Sequence, residues 1–204
     1  MRWVVIALLL LAGTARADDK SCYAELETRG VGFKKAKKPG IAQAVEISGA
    51  LGGVEVAGQG ALVIDCSLAV SLAEAGRYLR ALGVEKATYS SAYSRRNVRG
   101  TNRPSKHSYG LAIDVSHFSG AELGTMKIAS DYEQGLGDAV DCLGTPATQA
   151  GAVLKVLQCQ LVRSGLFHLV LSPDYDDAHH DHFHLEVRPW RERAELRASL
   201  PAIH

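Results

Sequence analysis

The chain has 204 residues, with 23 basic and 22 acidic side chains and a formal net charge of +1. This length is enough to bury a core in one domain. The balanced charge argues against nucleic acids and anionic membrane surfaces as partners, because proteins that bind either one carry a strong positive field.

Residues 1–17 have the layout of a secretory signal peptide. Arg2 precedes an apolar run from Trp3 to Leu11, and Ala15-Arg16-Ala17 provides the small residues of a cleavage site. The run is too short to span a bilayer, and no other long apolar segment follows. We therefore expect cleavage after Ala17 and an exported chain, periplasmic or secreted, without a transmembrane segment.

Residues 18–64 show short, broken patterns. A helical turn is predicted from Ala24 to Arg29, where Gly30 ends it, and residues 45–47 and 54–56 read as brief strands among glycines. We interpret this segment as an irregular N-terminal arm that wraps around a main domain of residues 65–204.

Two main helices are predicted in that domain. Apolar residues recur at intervals of three and four from Ser67 to Leu82, with Ser67 able to cap the helix and Gly83 at its end, and again from Pro146 to Ser164. The predicted strands are residues 84–93, 111–118, 125–129, the buried apolar run 167–171, and 183–187. This order predicts an α+β fold with a small antiparallel sheet packed against the two helices.

The four cysteines are predicted to form two disulfides. None of them stands in a C-x2-C spacing, and thiols of exported proteins are usually oxidised. Proximity in the sequence favours Cys22 with Cys66 and Cys142 with Cys159, while the other two pairings stay open.

Four of the eight histidines are crowded into residues 179–184. The apolar residues of this stretch form the buried face of a predicted strand. Its period of two places His182, His184 and Glu186 together on the opposite face, where a metal ion would sit. A polar strand edge would explain one His-x-His pair, but a second cluster upstream favours the metal site.

The upstream cluster contains His107 and Asp114, which are seven residues apart. This odd separation places them on opposite faces of a straight strand, so they converge only if the backbone bends between them. Gly110 permits such a bend. His107 would then lie on a loop and Asp114 inside a strand. A surface histidine and a turn aspartate are the alternative.

His107, Asp114 and His184 together offer three corners of a tetrahedral zinc site, with bonds of about 2.0–2.2 Å and an open fourth corner. An open corner indicates a catalytic rather than a structural site. Calcium and magnesium are less suitable because they take mostly oxygen ligands. The acidic loop at Asp174, Asp176 and Asp177 lacks the glycine and terminal glutamate of an EF-hand and is interpreted as a solvated turn.

These two clusters resemble a known zinc site. Ser-x-His-x-x-Gly-x-Ala-x-Asp at residues 105–114, followed by Asp-His-x-His at residues 181–184, is similar to the site of lysostaphin-type, D-Ala-D-Ala and hedgehog-like (LAS) folds. From about residue 22 to 187 the sequence more specifically resembles the bacterial extensin-like C-terminal family. The resemblance implies the same three zinc ligands and a peptidoglycan substrate.

Two positions depart from the pattern of that family. Arg95 stands where a cysteine is common, which bears on disulfide pairing, and Lys106 stands where an acidic residue is common, which changes the charge beside His107. Neither departure removes a ligand.

The resemblance implies an exported zinc-dependent peptidase that cleaves an amide bond in peptidoglycan stem peptides or cross-links. Zinc lowers the pKa of bound water to about 7, and a base within one hydrogen bond completes its activation. The resemblance to the D-Ala-D-Ala peptidases implies Asp181 as the base, and we assign His182 as the stabiliser of the oxyanion. Strand alternation turns Asp181 away from His184 unless the strand begins after it, so His182 is the alternative base. Glu186 is interpreted as structural or as the partner of a ligand. The sequence does not determine which bond is cleaved.

Arg96 and Arg103 flank the site in the sequence, and a guanidinium suits the carboxylates of stem peptides. Tyr93 would support Arg96 or pack, and solvated loop arginines are the alternative. A non-catalytic cell-wall-binding module is the main alternative function, because hedgehog-like domains keep such a pocket and mainly bind. An exported zinc hydrolase of an ester or phosphodiester is a weaker one. We expect a monomer.

Overall fold

The computed structural model describes residues 19–136 and 142–199, so the expected signal peptide lies outside the described residues. The helices are α1 (Asp19–Thr28), α2 (Cys66–Ala81), α3 (Ile128–Asp131), α4 (Gln149–Arg163) and α5 (Trp190–Ser199). The strands are β1 (Phe33–Lys35), β2 (Ala44–Ile47), β3 (Glu55–Ala57), β4 (Val63–Asp65), β5 (Lys86–Ser91), β6 (Ala112–Gly120), β7 (Gly124–Lys127), β8 (Leu169–Leu171) and β9 (Phe183–Glu186). Within these ranges no helix combines the length and apolarity needed to cross a bilayer.

The strands form two sheets. The larger sheet has the order β3-β5-β6-β9-β8, with β7 paired to β6, and the smaller sheet has the order β1-β2-β4. All pairs are antiparallel except β3 with β5, which are parallel. The predicted α+β class is therefore confirmed, although the larger sheet is mixed.

Helix α2 follows the predicted apolar pattern but begins differently. Its N-cap is Asp65 rather than Ser67, because the Asp65 carboxylate accepts hydrogen bonds from the Ser67 amide and hydroxyl at 2.9 and 2.6 Å. The same carboxylate accepts from the amide of Gln43 at 3.1 Å. Gly83 follows the helix with a φ of 88°, which a glycine adopts without strain.

Three further predicted elements differ from the structure in their ends, their type or their burial. Helix α4 starts after Thr148, whose hydroxyl accepts from the Gly151 amide at 3.0 Å, so Pro146 lies outside it. The strand predicted at residues 125–129 divides into β7 and the short α3. Strand β8 is an edge strand with Leu169 40% exposed, not the buried strand that its apolar composition predicts. Helix α5 has no counterpart in the sequence prediction.

The N-terminal segment is more regular than the predicted irregular arm. It contributes α1, the first three strands and most of β4. Cys22, Leu26, Val45 and Leu51 belong to the same buried cluster as α2 and the larger sheet. The segment therefore contributes side chains to the same core as the main domain.

The structure contains two disulfides, Cys22–Cys66 and Cys142–Cys159, as sequence proximity favours. The first ties α1 to the first residue of α2, and the second ties a loop to α4. Arg95 therefore leaves no cysteine without a partner.

We predict that the two disulfides stabilise the chain unequally. They close separations of 44 and 17 residues. Replacing Cys22 and Cys66 by alanine should lower the free energy of unfolding by roughly 4 kcal/mol, against roughly 3 kcal/mol for the Cys142 and Cys159 pair, because a longer loop removes more entropy from the unfolded chain. Urea unfolding of both double variants measures the difference. A larger loss for the second pair would contradict this entropic account.

Candidate metal centre

The pairing of β6 with β9 places Asp114 directly opposite His184. Both side chains lie on the polar face of the sheet, while Phe183 and Leu185 point into the core on the other face. Asp114 and His184 are nevertheless only 4% and 9% exposed. Two candidate metal ligands are therefore held side by side on adjacent strands.

His107 reaches the same point from a 3₁₀ turn at Lys106–Tyr109. The Ser105 hydroxyl accepts from the His107 amide at 3.3 Å and caps the turn. Gly110 ends it in the left-handed conformation, with a φ of 63°. A Cβ at Gly110 would stand 2.8 Å from the amide nitrogen of Asp65, so only glycine fits. The predicted bend at this residue is confirmed.

The three side chains converge as predicted. Nε2 of His107 lies 3.1 Å from Oδ1 of Asp114 and 3.3 Å from Nδ1 of His184. Nδ1 of His184 lies 2.7 Å from the same Asp114 oxygen. Within residues 19–136 and 142–199 this is the one group of three or more such donors close enough to hold a metal ion.

Each histidine has a partner for its other ring nitrogen. Nδ1 of His107 is 2.8 Å from the carbonyl oxygen of Ala92, which fixes the proton there and leaves Nε2 free for a metal ion. Nε2 of His184 is 3.6 Å from Oε2 of Glu186, so this ring presents Nδ1 instead. Glu186 therefore lies behind a candidate ligand, as the sequence alternation predicts.

Electrostatics hold the metal-free cluster together. Burial alone would raise the pKa of Asp114, but its contacts with the imidazoles of His107 and His184 outweigh it and keep this pKa far below its ordinary value. Burial would lower the pKa of His184, but its contacts with Asp114 and Glu186 raise it to about 9. A metal ion that binds here therefore displaces a proton from His184.

His182 and Asp181 complete the polar side of the cluster. Nε2 of His182 lies 3.4 Å from Oδ1 of Asp114, and its Nδ1 lies 2.7 Å from Oδ1 of Asp181. The side chain of Asp181 is 51% exposed, whereas that of His182 is 12% exposed. The hydrogen bond from His182 lowers the pKa of Asp181, despite the opposing effect of burial. His182 thus faces the candidate ligands, and Asp181 lies behind it.

The predicted substrate-binding residues lie in different places. One guanidinium nitrogen of Arg96 is 3.6 Å from Oδ2 of Asp114, so Arg96 borders the site. Arg103 is exposed further along the same loop, whose backbone pairs Val98 with Arg103. The Tyr93 hydroxyl donates to the carbonyl of Pro39 at 2.7 Å and thus supports that segment rather than Arg96.

Two neighbours of the site, His179 and the carbonyl group of Ala92, are not predicted from the sequence. His179 lies with its ring centroid 5.2 Å from that of His182 and 5.7 Å from that of His184. Its Nδ1 is 2.6 Å from Oδ1 of Asp176, which also caps the 3₁₀ turn at Asp177–His179. The Asp-x-x-His spacing is the signal for this contact. No sequence pattern marks the contact of the Ala92 carbonyl, because every residue has a backbone carbonyl.

The aspartates of the acidic loop form hydrogen bonds with other groups of the protein. Asp174 accepts hydrogen bonds from the Gly135 amide at 2.7 Å and from the Tyr132 hydroxyl at 2.8 Å. With Asp176 bonded to His179, two of the three aspartates in this loop are engaged by protein groups. The loop is therefore a turn, as predicted, but Asp174 and Asp176 bond to protein groups and not only to solvent.

Comparison with known proteins gives one family. The model of the extensin-like protein C-terminus matches residues 20–196, which is most of the chain. No curated protein and no solved structure matches.

We predict that Glu186→Gln weakens metal binding about 10- to 100-fold, because partners behind a ligating histidine orient it and raise its basicity. Competition with a chelating dye measures the affinity. Glu122→Gln, an exposed carboxylate in the turn between β6 and β7, is the matched control. Equal affinities of the two variants would contradict a role for Glu186 at the metal centre.

Proposed function

Since this chain belongs to the extensin-like protein C-terminus family and carries a buried group of metal-ligating side chains, we propose that it is an exported zinc-dependent hydrolase. Its proposed substrate is peptidoglycan, in which it cleaves an amide bond of a stem peptide or a cross-link. The kinship with LAS-type zinc peptidases is part of this proposal. It rests on the two sequence motifs that supply the three donor residues.

The convergence of His107, Asp114 and His184 is the observation that carries the proposal. Tetrahedral zinc with bonds of about 2.0–2.1 Å separates its ligand atoms by about 3.3 Å. Two of the three distances between donor atoms, 3.1 and 3.3 Å, agree with this value, and the third is 2.7 Å. Two imidazoles with one carboxylate also suit zinc better than calcium or magnesium. The residues present therefore fit a zinc ion.

Bound zinc would supply a Lewis acid that polarises an amide carbonyl and lowers the pKa of water. The chain itself must then move a proton. Asp181 accepts the Nδ1 proton of His182, which leaves Nε2 unprotonated and directed at the cluster. This arrangement supports His182 as the general base with Asp181 holding its ring, which agrees with the strand alternation and reverses the roles that the resemblance to D-Ala-D-Ala peptidases implies.

Arg96 is placed to orient the substrate. Its guanidinium is half exposed and stands at the rim, 3.6 Å from Asp114. A carboxylate or carbonyl of the substrate would meet its remaining donors there. Arg103 forms no ion pair with the cluster among the described residues, and its role in substrate binding stays a prediction.

The proposed compartment agrees with the two disulfides. Structural disulfides persist in oxidising compartments such as the periplasm and the cell exterior. Peptidoglycan lies in those compartments, so enzyme and substrate would meet there.

A non-catalytic wall-binding module is the second candidate. It is favoured by the burial of the ligands, since His107, Asp114 and His184 are 0, 4 and 9% exposed. The enzyme is favoured by His182 and Arg96, which provide a proton acceptor and a cation on the accessible side. Zinc content and cleavage separate the two candidates.

We predict close to one zinc ion per chain and zinc-dependent release of peptides from isolated peptidoglycan. His184→Ala should lose both, because it removes a ligand. His117→Ala is the matched control, since His117 lies on the same strand as Asp114 and its ring contacts Ser116. Metal analysis and mass spectrometry of the released peptides are the measurements.

The outcomes separate the hypotheses. Full zinc retention in His184→Ala would show that the ligand set is wrong. Stoichiometric zinc without any cleavage by the parent chain would favour the binding module over the enzyme.

We predict that His182→Ala lowers turnover by roughly 10²- to 10⁴-fold, the usual contribution of a general base. Asp181→Ala should cost less, because the imidazole remains and loses only its orientation. Peptide release is compared at equal zinc occupancy. His180→Ala is the control, since Nδ1 of its ring lies 2.7 Å from the carbonyl oxygen of Asp177. If Asp181→Ala costs as much as His182→Ala or more, Asp181 is the base.

A further inference from the structure

A groove of about 320 Å³ runs beside the metal centre. Its walls come from the segment before β4 and from the end of β5 and the residues after it. The lining residues are Lys38, Gln59, Ala61, Val63 and residues 89–93. This volume is in the range of small-ligand sites in proteins.

The groove lies along an open strand edge. Strand β3 pairs with β5 only from Lys86 to Thr88. Beyond Thr88, no strand in the described ranges pairs with β5 on that side, and residues 89–93 line the groove instead. An open edge adds an extended peptide as a further strand, and main-chain hydrogen bonds then supply affinity.

The end of β5 also connects the groove to the metal centre. Ser91 is paired with Asp114 across the ladder, and the carbonyl of Ala92 accepts from His107. A strand added to β5 would lie two strand spacings from β6, roughly 10 Å. The groove is therefore suited to a part of the substrate that flanks the scissile bond.

The charge in the groove is positive. Lys38 is the one ionised side chain among the lining residues, and its ammonium lies 5.8 Å from the centroid of the Tyr93 ring. The Tyr93 hydroxyl holds the neighbouring Pro39 carbonyl at 2.7 Å, which fixes this segment to the end of β5. An ammonium with no ion pair among the described residues is a contact point for a carboxylate.

A larger cleft near the end of α1 and beside α2 contains no cation without an ion pair among its described residues. It has a volume of about 680 Å³ and contains Arg29 and Arg77. Both arginines pair with Glu74, at 3.4 and 3.9 Å. Its positive charges are thus compensated within the protein, and the cleft offers no comparable contact for an anionic ligand.

We propose that the groove beside β5 binds an extended peptide with a free carboxylate, paired along residues 89–93 and held by Lys38. This rests on the proposed function in one respect: the peptide is the flanking part of a peptidoglycan stem peptide. An acidic segment of a protein has the same chemistry, so the test compares both sources.

Calorimetric titration of the chelator-treated chain with a synthetic stem tripeptide tests the role of Lys38. Lys38→Ala should weaken binding about tenfold or more, the usual effect of losing a charge-assisted contact. Lys37→Ala is the matched control, because Lys37 is also exposed but does not line the groove. Amidation of the peptide carboxylate should weaken binding to the parent chain as much as Lys38→Ala does. Binding to the Lys38→Ala variant should be weakened little further by amidation.

Backbone pairing is tested with N-methylated versions of an α-linked, all-L peptide of the same charge. In an added strand, successive amides point alternately toward and away from β5, so methylation at two successive positions should have clearly unequal effects. Equal effects, or equal affinities of the Lys38→Ala and Lys37→Ala variants, would overturn the proposal.

An all-L peptide of the same charge separates the two sources. The stem peptide is expected to bind more tightly, and preference for the all-L peptide would overturn the assignment to the cell wall. Since binding is measured without metal or turnover, this test can fail while the hydrolase proposal stands, and the reverse also holds.

Discussion

The register between β6 and β9 is the constraint on which the site depends. It sets Asp114 against His184 on one face of the sheet and packs Phe183 and Leu185 into the core on the other. Because side chains alternate along a strand, a slip of one residue would turn His184 toward the apolar core and Leu185 toward the site. The apolar core beneath the sheet therefore fixes the geometry of the polar cluster above it, since the register that buries the apolar residues also aligns the ligands.

The cluster would be unstable if any of its members lacked a partner. An ionised carboxylate as buried as Asp114 is costly unless it is paired and hydrogen-bonded. His107, His184 and His182 surround one of its oxygens, and Arg96 lies near the other. The outer partners, the Ala92 carbonyl and Glu186, direct each ring in turn. Metal binding would thus exchange one set of charge contacts for another in a preformed cluster of side chains, which reduces the entropy that ordering the ligands would cost.

The N-terminal segment contributes to function through the fold. The disulfide between Cys22 and Cys66 and the buried side chains of α1 join it to α2, and Asp65 at the start of α2 donates its amide to the carbonyl of Gly110. The glycine that turns His107 into the site therefore lies directly against the beginning of α2. The same segment brings Lys38 to the groove beside β5. Residues that read as an irregular arm thus support one ligand of the metal centre and provide the proposed contact for a substrate carboxylate.

Local patterns in the sequence determined the two main helices and the bend at Gly110, because helical periodicity and the conformation of glycine depend on near neighbours. Proximity of the cysteines favoured the disulfide pairs but left other pairings open, and two motifs together with the family resemblance named the three candidate ligands. Only the tertiary structure decided the parallel pairing of β3 with β5, the edge position of β8, the contact of Asp181 with His182 and the groove beside β5. Alternation states which face a side chain takes, but not which strand lies alongside or where the strand begins. The neighbouring strand and the start of a strand depend on contacts between distant segments. The position of Asp181 depends on the loop that ends at His182, immediately before β9.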